Sequence, residues 1–368
     1  MAQSENNEAV IRVLLGETLV SPESFAKSFL AAVPFETVRR ILEDTRRQIG
    51  PVLVIAALGT GYRVTTATHE MDVQIHLDSE GKVSGLLLQP AVALSGTIDE
   101  FLAELSALPG EVAYLVTRNG ETIGARNADK PLAVGSAFKL GILAALNDRI
   151  KASDAQWSDV IPLEARHISL PSGILQTFPV GSPLTLSTLA TLMISISDNT
   201  ATDALLDYVG RDAAAAKLGI DFVPKTRELF MLKSDKDLRG RYLAADAAGK
   251  AELAKEMDAR AISLAEAEIG PHDLGVEWYV PLERLCALAV EVRDLDAMRP
   301  APGPAGTTNW AQVAYKGGSE VGVLNMTTAA VSRAGDLYCV AFTWNQDRAL
   351  DESGAIGPYA GILAKLAR

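Results

Sequence analysis

The sequence predicts an α+β protein of two domains. Three observations carry this: a length of 368 residues, helical patterns followed by a run of strands near the N-terminus, and a long helical stretch framed by strands after it. A single hydrophobic core stops growing before this length, so the chain is expected to divide. Residues 1–94 are expected to form a small domain of helices then antiparallel strands. Residues 95–368 are expected to form a larger domain, an antiparallel sheet flanked by helices plus an all-helical part.

In the first domain, residues 21–33 (SPESFAKSFLAAV) place Ser and Pro ahead of Phe25, Phe29 and Val33 at four-residue spacing, which predicts an amphipathic helix. A second helix is expected from Pro34 to Ile49, with Gly50 as its stop. The period then changes to two. VLVIAA, YRVTTAT, MDVQIHL and VSGLLLQ read as four strands, and Met71, Val73, Ile75 and Leu77 fall on one face of the third.

In the second domain a helix (IDEFLAELSAL) precedes the strands EVAYLVTR and ETIGARN, joined at the hairpin signal Asn119-Gly120. Helical patterns dominate from there to about Gly270. Strands return at AQVAYKGG, LNMTTAAVS and DLYCVAFTW, and GPYAGILAKLA closes the chain as a helix. The sheet therefore draws its strands from both ends of the domain.

Composition narrows the function. A formal net charge of -12 with no Lys/Arg run argues against nucleic acid and anionic membranes and favours a small-molecule or peptidic substrate. No segment approaches the length of a membrane-spanning helix. His69, His76, His167 and His272 are scattered without metal-ligand spacing, so no metal and no cofactor is expected. Cys286 and Cys339 lie inside apolar segments and read as buried free thiols. The opening MAQSENNEAV lacks the charged-then-apolar pattern of a signal peptide.

Three short motifs carry the chemistry. Ser136-Ala137-Phe138-Lys139 opens an apolar helical run, and residues three apart share a helix face, so Ser136 and Lys139 stand together at a helix N-terminus. A serine hydroxyl needs a base to act as a nucleophile at neutral pH. A lysine serves once burial or a neighbouring cation lowers its pKa. Ser197-Asp198-Asn199 follows 61 residues later between two apolar helical runs. Ser197 is expected to relay a proton to the leaving group, Asn199 to hydrogen-bond a substrate amide and Asp198 to brace the loop. Lys316-Gly317-Gly318 lies in a strand. Its glycines suggest close approach of a ligand to the backbone at Gly318, with the Ser319 N–H joining that of Ser136 in an oxyanion hole. Lys316 would attract a substrate carboxylate and help keep Lys139 neutral.

S-x-x-K, S-D-N and a K-[ST]-G-like motif in this order resemble the signature set of class A β-lactamases and penicillin-binding proteins. PLTLSTLATLMISISDNTATDALL also looks like that family's helices around the second motif. The resemblance covers about residues 95–368 and implies an acyl-enzyme on Ser136, with Lys139, Ser197 and Lys316 as its catalytic partners. It leans localisation toward periplasm or secretion. The small N-terminal domain resembles steroid isomerases and polyketide cyclases in element order. The pairing resembles the two-domain, β-lactamase-fold, esterase-like hydrolases of clavulanic acid biosynthesis clusters.

The pattern also departs from the family. The glutamate motif that positions the hydrolytic water of class A enzymes is missing, and a charged, helical insertion (234–261) follows PKTRELFMLK. Glu228 is the nearest carboxylate and otherwise reads as a solvated strand residue. Gly317 stands where the family has Thr or Ser. Pro171-Ser172-Gly173 is first of all a turn, and the segment 171–176 is a candidate cleft wall. An ester, amide or β-lactam carbonyl is the expected target. A slow β-lactam-binding accessory protein and a DD-peptidase remain alternatives.

Overall fold

A computed structural model describes residues 2–16, 20–262 and 274–367, and His272 lies outside them. By mutual contact the chain forms two units, residues 1–105 with 353–365, and residues 106–352 with 366–368.

The first unit begins with α1 (Ala2–Leu14), a helix the periodicity analysis did not anticipate, followed by α2 (Lys27–Ala32) and α3 (Phe35–Ile49). Residues 21–33 do not form one helix. A short 3-10 turn covers Pro22–Ser24, Phe25 bridges to Val83, and the Ala26 N–H donates to the Val83 carbonyl, so α2 starts only at Lys27. The tertiary bridge overrides local periodicity. Strands β1 (Val52–Leu58), β2 (Gly61–Thr66), β3 (His69–Leu77) and β4 (Val83–Leu88) pair antiparallel in that order, and β5 (Val92–Ala93) adds to β3. Met71, Val73 and Ile75 are buried on one face of β3 with Val38, Leu42 and Ile49 of α3, as alternation and helical spacing require.

The helix α4 (Ile98–Ser106) and the final helix of the chain (Ser353–Leu366) belong mainly to this first unit. This differs from a simple split after residue 94. Gly361 of the final helix leaves no room for a side chain against the Phe101 ring of α4, and its Gly357 lies beside Gln48 of α3.

In the second unit β6 (Glu111–Arg118) and β7 (Glu121–Arg126) form a hairpin, with Asn119 at φ 51° and Gly120 at φ 87°. Two successive positive φ values suit the Asn-Gly pair. After β8 (Leu132–Ala133) come α5 (Lys139–Lys151), the ribbon β9 (Val160–Pro162) and β10 (Pro183–Thr185), then α6 (Leu186–Ser195), α7 (Asn199–Val209), α8 (Arg211–Leu218), α9 (Thr226–Ser234), α10 (Lys236–Ala244) and α11 (Ala247–Asp258). β11 (Tyr279–Val280), α12 (Leu282–Val292) and the strands β12 (Gln312–Glu320), β13 (Val323–Val331) and β14 (Leu337–Asn345) complete the unit. The final helix is α13. The sheet runs β12-β13-β14-β6-β7, all antiparallel, drawing strands from both ends of the unit as expected.

Residues 139–147 of α5 are all buried, so this helix is the core axis on which the others pack. Cys286 of α12 and Cys339 of β14 are joined in a disulfide, their Cα atoms 5.8 Å apart. The expectation of free thiols fails because the packing of α12 on the sheet brings the two within bridging range. No helix among the described residues is long and apolar enough to cross a membrane.

Candidate active site

The turn carrying Ser136 is fixed from several sides. β8 pairs with β11, and the Asn345 side chain accepts from the Ala133 N–H at 2.9 Å and donates to the Ala133 carbonyl at 2.9 Å. Beyond β8 the chain turns through Gly135 (φ 49°) into a 3-10 segment, Gly135–Phe138, that runs on into α5. Residues three apart eclipse in a 3-10 turn, which aligns Ser136 with Lys139. Phe138 stacks on Trp278 at 3.8 Å. Gly135, Ala137, Phe138 and Lys139 are buried, whereas Ser136 is partly open to solvent.

Lys139 is fully buried and its Nζ donates to Ser197 O at 2.7 Å, Ser197 Oγ at 3.0 Å and Asn199 Oδ1 at 2.7 Å. Burial, reinforced by the Lys316 ammonium, holds its amine well below the ordinary lysine range, against the opposing pull of Asp203 and Asp198. Ser197 sits between α6 and α7 at φ 57°, a conformation uncommon outside glycine, which turns both its carbonyl and its hydroxyl toward Lys139.

Asp198 fixes that turn. One carboxylate oxygen caps α7 through the Ala201 N–H at 2.8 Å, and the other accepts from Ile174 and Leu175 N–H at 2.7 and 3.0 Å. Gly173 (φ 104°) lies so close that a Cβ there would stand 2.3 Å from the carboxylate, and Ser172 Oγ donates to Ser197 O at 2.7 Å. The 171–176 segment is therefore part of the site's scaffold, hydrogen-bonded to the second motif. Asn199, expected to meet substrate, is buried. Its amide spans Lys139 and the Leu170 carbonyl at 3.1 Å, so its geometry orients the lysine.

Lys316 reaches the same hydroxyl from β12, with Nζ 3.2 Å from Ser197 Oγ and 2.5 Å from the Gly317 carbonyl. Ser197 Oγ thus lies between two lysines. Burial pushes the Lys316 amine down to about 7. Its charge is present below that pH and fades above it. For a substrate bearing a carboxylate, KM is expected to rise as pH climbs through about 7, while KM for a neutral ester stays level. Initial rates between about pH 6 and pH 8 check this.

Gly318 allows β12 to touch the nucleophile's turn. A Cβ there would lie 2.2 Å from Val134 O, 2.5 Å from Ser136 N and 2.8 Å from Ala137 N. The glycine anticipated for close approach of a ligand is thus needed first for the approach of another backbone segment. Ser319, next in β12, is exposed, and its N lies at the same seam, beside Gly135. Tyr315 was missed by motif reading. Its Oη would be 2.3 Å from a Cβ at Gly317, so this hydroxyl occupies space that a threonine side chain would need. An aromatic residue two positions before a strand glycine, on the same face, is the signal that points to it.

Glu228 is neither solvated nor in a strand. It lies in α9, fully buried, paired with Arg211 through contacts of 2.5 and 3.0 Å, and it accepts from the Lys225 N–H at 2.9 Å. Every one of these contacts is structural. Glu228→Gln is expected to lower stability by about 3 kcal/mol in urea denaturation and to leave acylation of Ser136 intact.

Residues 93–263 match a family model described as "Beta-lactamase enzyme family". The structure is similar to the β-lactamase from Sphaerobacter thermophilus at 24% identity, covering 73% of this chain and 96% of that one with a TM-score of 0.51. It is similar to the TLA-1 extended-spectrum β-lactamase at 14% identity, covering 73% and 98%, with a TM-score of 0.50. The chain carries a class A β-lactamase-like fold. PBP-A is a further similar structure, at 18% identity and a TM-score of 0.49 over 74% of this chain and 96% of that one. No curated protein matches in sequence. In the β-lactamase-like fold of this chain, Ser136, Lys139, Ser197, Asn199, Lys316, Gly318 and Ser319 come from three separate segments and gather around one turn.

Proposed function

We propose that the protein is a serine hydrolase that forms an acyl-enzyme on Ser136 and acts on an ester, amide or β-lactam carbonyl, with esterase-like rather than efficient β-lactamase turnover. The observation that carries this reading is Ser197 Oγ held between Lys139 Nζ and Lys316 Nζ beside the Ser136 turn.

Lys139, held toward its neutral form, takes the Ser136 proton as Oγ bonds to the carbonyl carbon. The Ser136 and Ser319 N–H groups receive the negative oxygen of the tetrahedral intermediate. Ser197 Oγ, in contact with both lysines, hands the proton to the departing group as its bond to carbon breaks. Lys316 attracts a carboxylate on the substrate, and Asn199 keeps Lys139 in line.

A second reading, a binding protein that acylates and releases slowly, is favoured by one observation. Glu228, the carboxylate nearest in sequence to where the family carries its water-activating glutamate, lies in α9 locked onto Arg211. Pre-steady-state kinetics with a chromogenic ester separate the two. Hydrolase action gives a product burst equal to the enzyme concentration followed by steady turnover. A burst without turnover supports the trap, and turnover with no burst and no adduct overturns the acyl-enzyme itself.

A further inference from the structure

Residues 169–175 run alongside the second motif and are fastened to it along their length. The Ser169 N–H donates to Thr200 Oγ1 at 3.0 Å, the Ser172 carbonyl accepts the Asn199 N–H at 3.0 Å, and Ser172 Oγ donates to the Ser197 carbonyl at 2.7 Å. The Ile174 N–H donates to Asp198 Oδ2 at 2.7 Å, and a Cβ on its neighbour Gly173 would stand 2.5 Å from the Asp198 Cα. Ile174 thus leaves the backbone beside the Ser197-Asp198 turn, in a place set by main-chain contacts.

Burial then divides the apolar residues of the two segments. Leu175 is fully buried in the core, whereas Ile174 is 48% exposed. At the end of α6, Met193 and Ile194 are buried, while Ile196, peptide-bonded to Ser197, is 42% exposed. Among the described residues of the second unit, seven large apolar side chains are exposed, and four of them, Ile174, Phe178, Val180 and Ile196, lie within residues 174–196. Singly scattered surface hydrophobics are ordinary, and a group of them on two fastened segments marks a binding surface.

Ser197 determines what this surface meets. Its Oγ lies 3.0 Å from Lys139 Nζ and 3.2 Å from Lys316 Nζ, and the residue is partly open to solvent. In the mechanism above, this hydroxyl hands a proton to the departing group. A group departing past Ser197 is flanked by Ile196 on the same chain segment and by Ile174 on the fastened one.

We propose that Ile174 and Ile196 form an apolar ledge that holds the alcohol portion of an ester, so that the preferred substrates are esters of apolar alcohols. This rests on the acyl-enzyme reading above. Ile174 and Ile196 are specificity-determining residues, and the chemistry stays with Ser136, Lys139 and Ser197. A fully buried methylene favours binding about fourfold, and one covered on a single side about twofold. Four methylenes on the ledge then amount to about 15-fold.

The test compares acylation by ethyl acetate and by hexyl acetate, read as the initial rate of alcohol release at low ester concentration. The two alcohols are of like acidity, so the ratio of rates reports the four added methylenes. The ratio is expected to be about 15 for the wild-type protein and about 2 for the double variant Ile174→Ser/Ile196→Ser. Both esters are measured on one preparation, so the ratio does not depend on the folded fraction. Ile174→Leu/Ile196→Leu is expected to keep the wild-type ratio. Should the double serine variant not fold, each single serine variant is expected to lower the ratio part of the way. A wild-type ratio near 1, or a ratio that the serine variants leave unchanged, overturns the proposal. So does a larger gain from lengthening the acyl group, ethyl hexanoate against ethyl acetate, than from lengthening the alcohol. Absence of any adduct on Ser136 with every ester tried overturns the acyl-enzyme reading and this proposal together. An adduct from an activated ester, with no preference for hexyl acetate or no alcohol released from it, overturns this proposal alone.

Discussion

Replacing Ser136 with alanine is expected to lower hydrolysis of an activated ester by about 10⁴-fold or more, with the fold unchanged. The size follows from removing the only atom that bonds to substrate carbon. What remains is the contribution of binding and of the oxyanion donors, which in other serine hydrolases is roughly 10³-fold over water. The fold should persist because Ser136 is the partly open member of a turn held by others, through β8–β11 pairing, the Asn345 clamp and the Phe138–Trp278 stack. Melting temperature and steady-state rate, measured on one preparation, check both halves.

The second large effect is expected at a residue with no functional group. Gly318→Val places a Cβ 2.2 Å from the Val134 carbonyl and 2.5 Å from Ser136 N, and both obstacles are backbone. Neither can rotate away, so β12 must move from the nucleophile's turn. Displacement of about 1 Å between reacting groups costs on the order of 100-fold, and overpacking costs about 1–3 kcal/mol. We therefore expect acylation to fall at least 100-fold, with a measurable drop in the urea midpoint. Gly240→Ala is the control, because nothing lies within 4 Å of a Cβ there. A mid-helix Gly→Ala change is expected to stabilise by about 0.5–1 kcal/mol, leaving activity as it was.

What was legible in the sequence follows from range. The Ser136–Lys139 spacing is a property of one helical turn, the Asn119-Gly120 hairpin of two residues, and the alternation in β3 of one strand, so each is written locally. The Ser197 and Lys316 motifs announced themselves by residue type and order, although their convergence on one hydroxyl depends on α7 and β12 packing beside the same turn.

The features that were not legible are tertiary. Cys286 and Cys339 pair only because α12 lies on the sheet. Phe25 leaves the helical path to bridge Val83, and Glu228 turns from solvent to Arg211. Asn199 looked like a substrate contact because its amide is polar and adjacent to Ser197. Burial against Leu170 and Lys139 commits that amide internally instead. Tyr315 was invisible to a motif that counts only Lys-Gly-Gly, since its hydroxyl reaches Gly317 across one strand face.

The residue that receives the acyl group decides whether Ser136 is the nucleophile. Incubation with an activated ester, acid quench, proteolysis and peptide mass mapping should place the added mass on the peptide containing Ser136, at Ser136 itself, and should find none in Ser136→Ala. Steady hydrolysis with the adduct on another residue, or with no adduct at any time point, would contradict it.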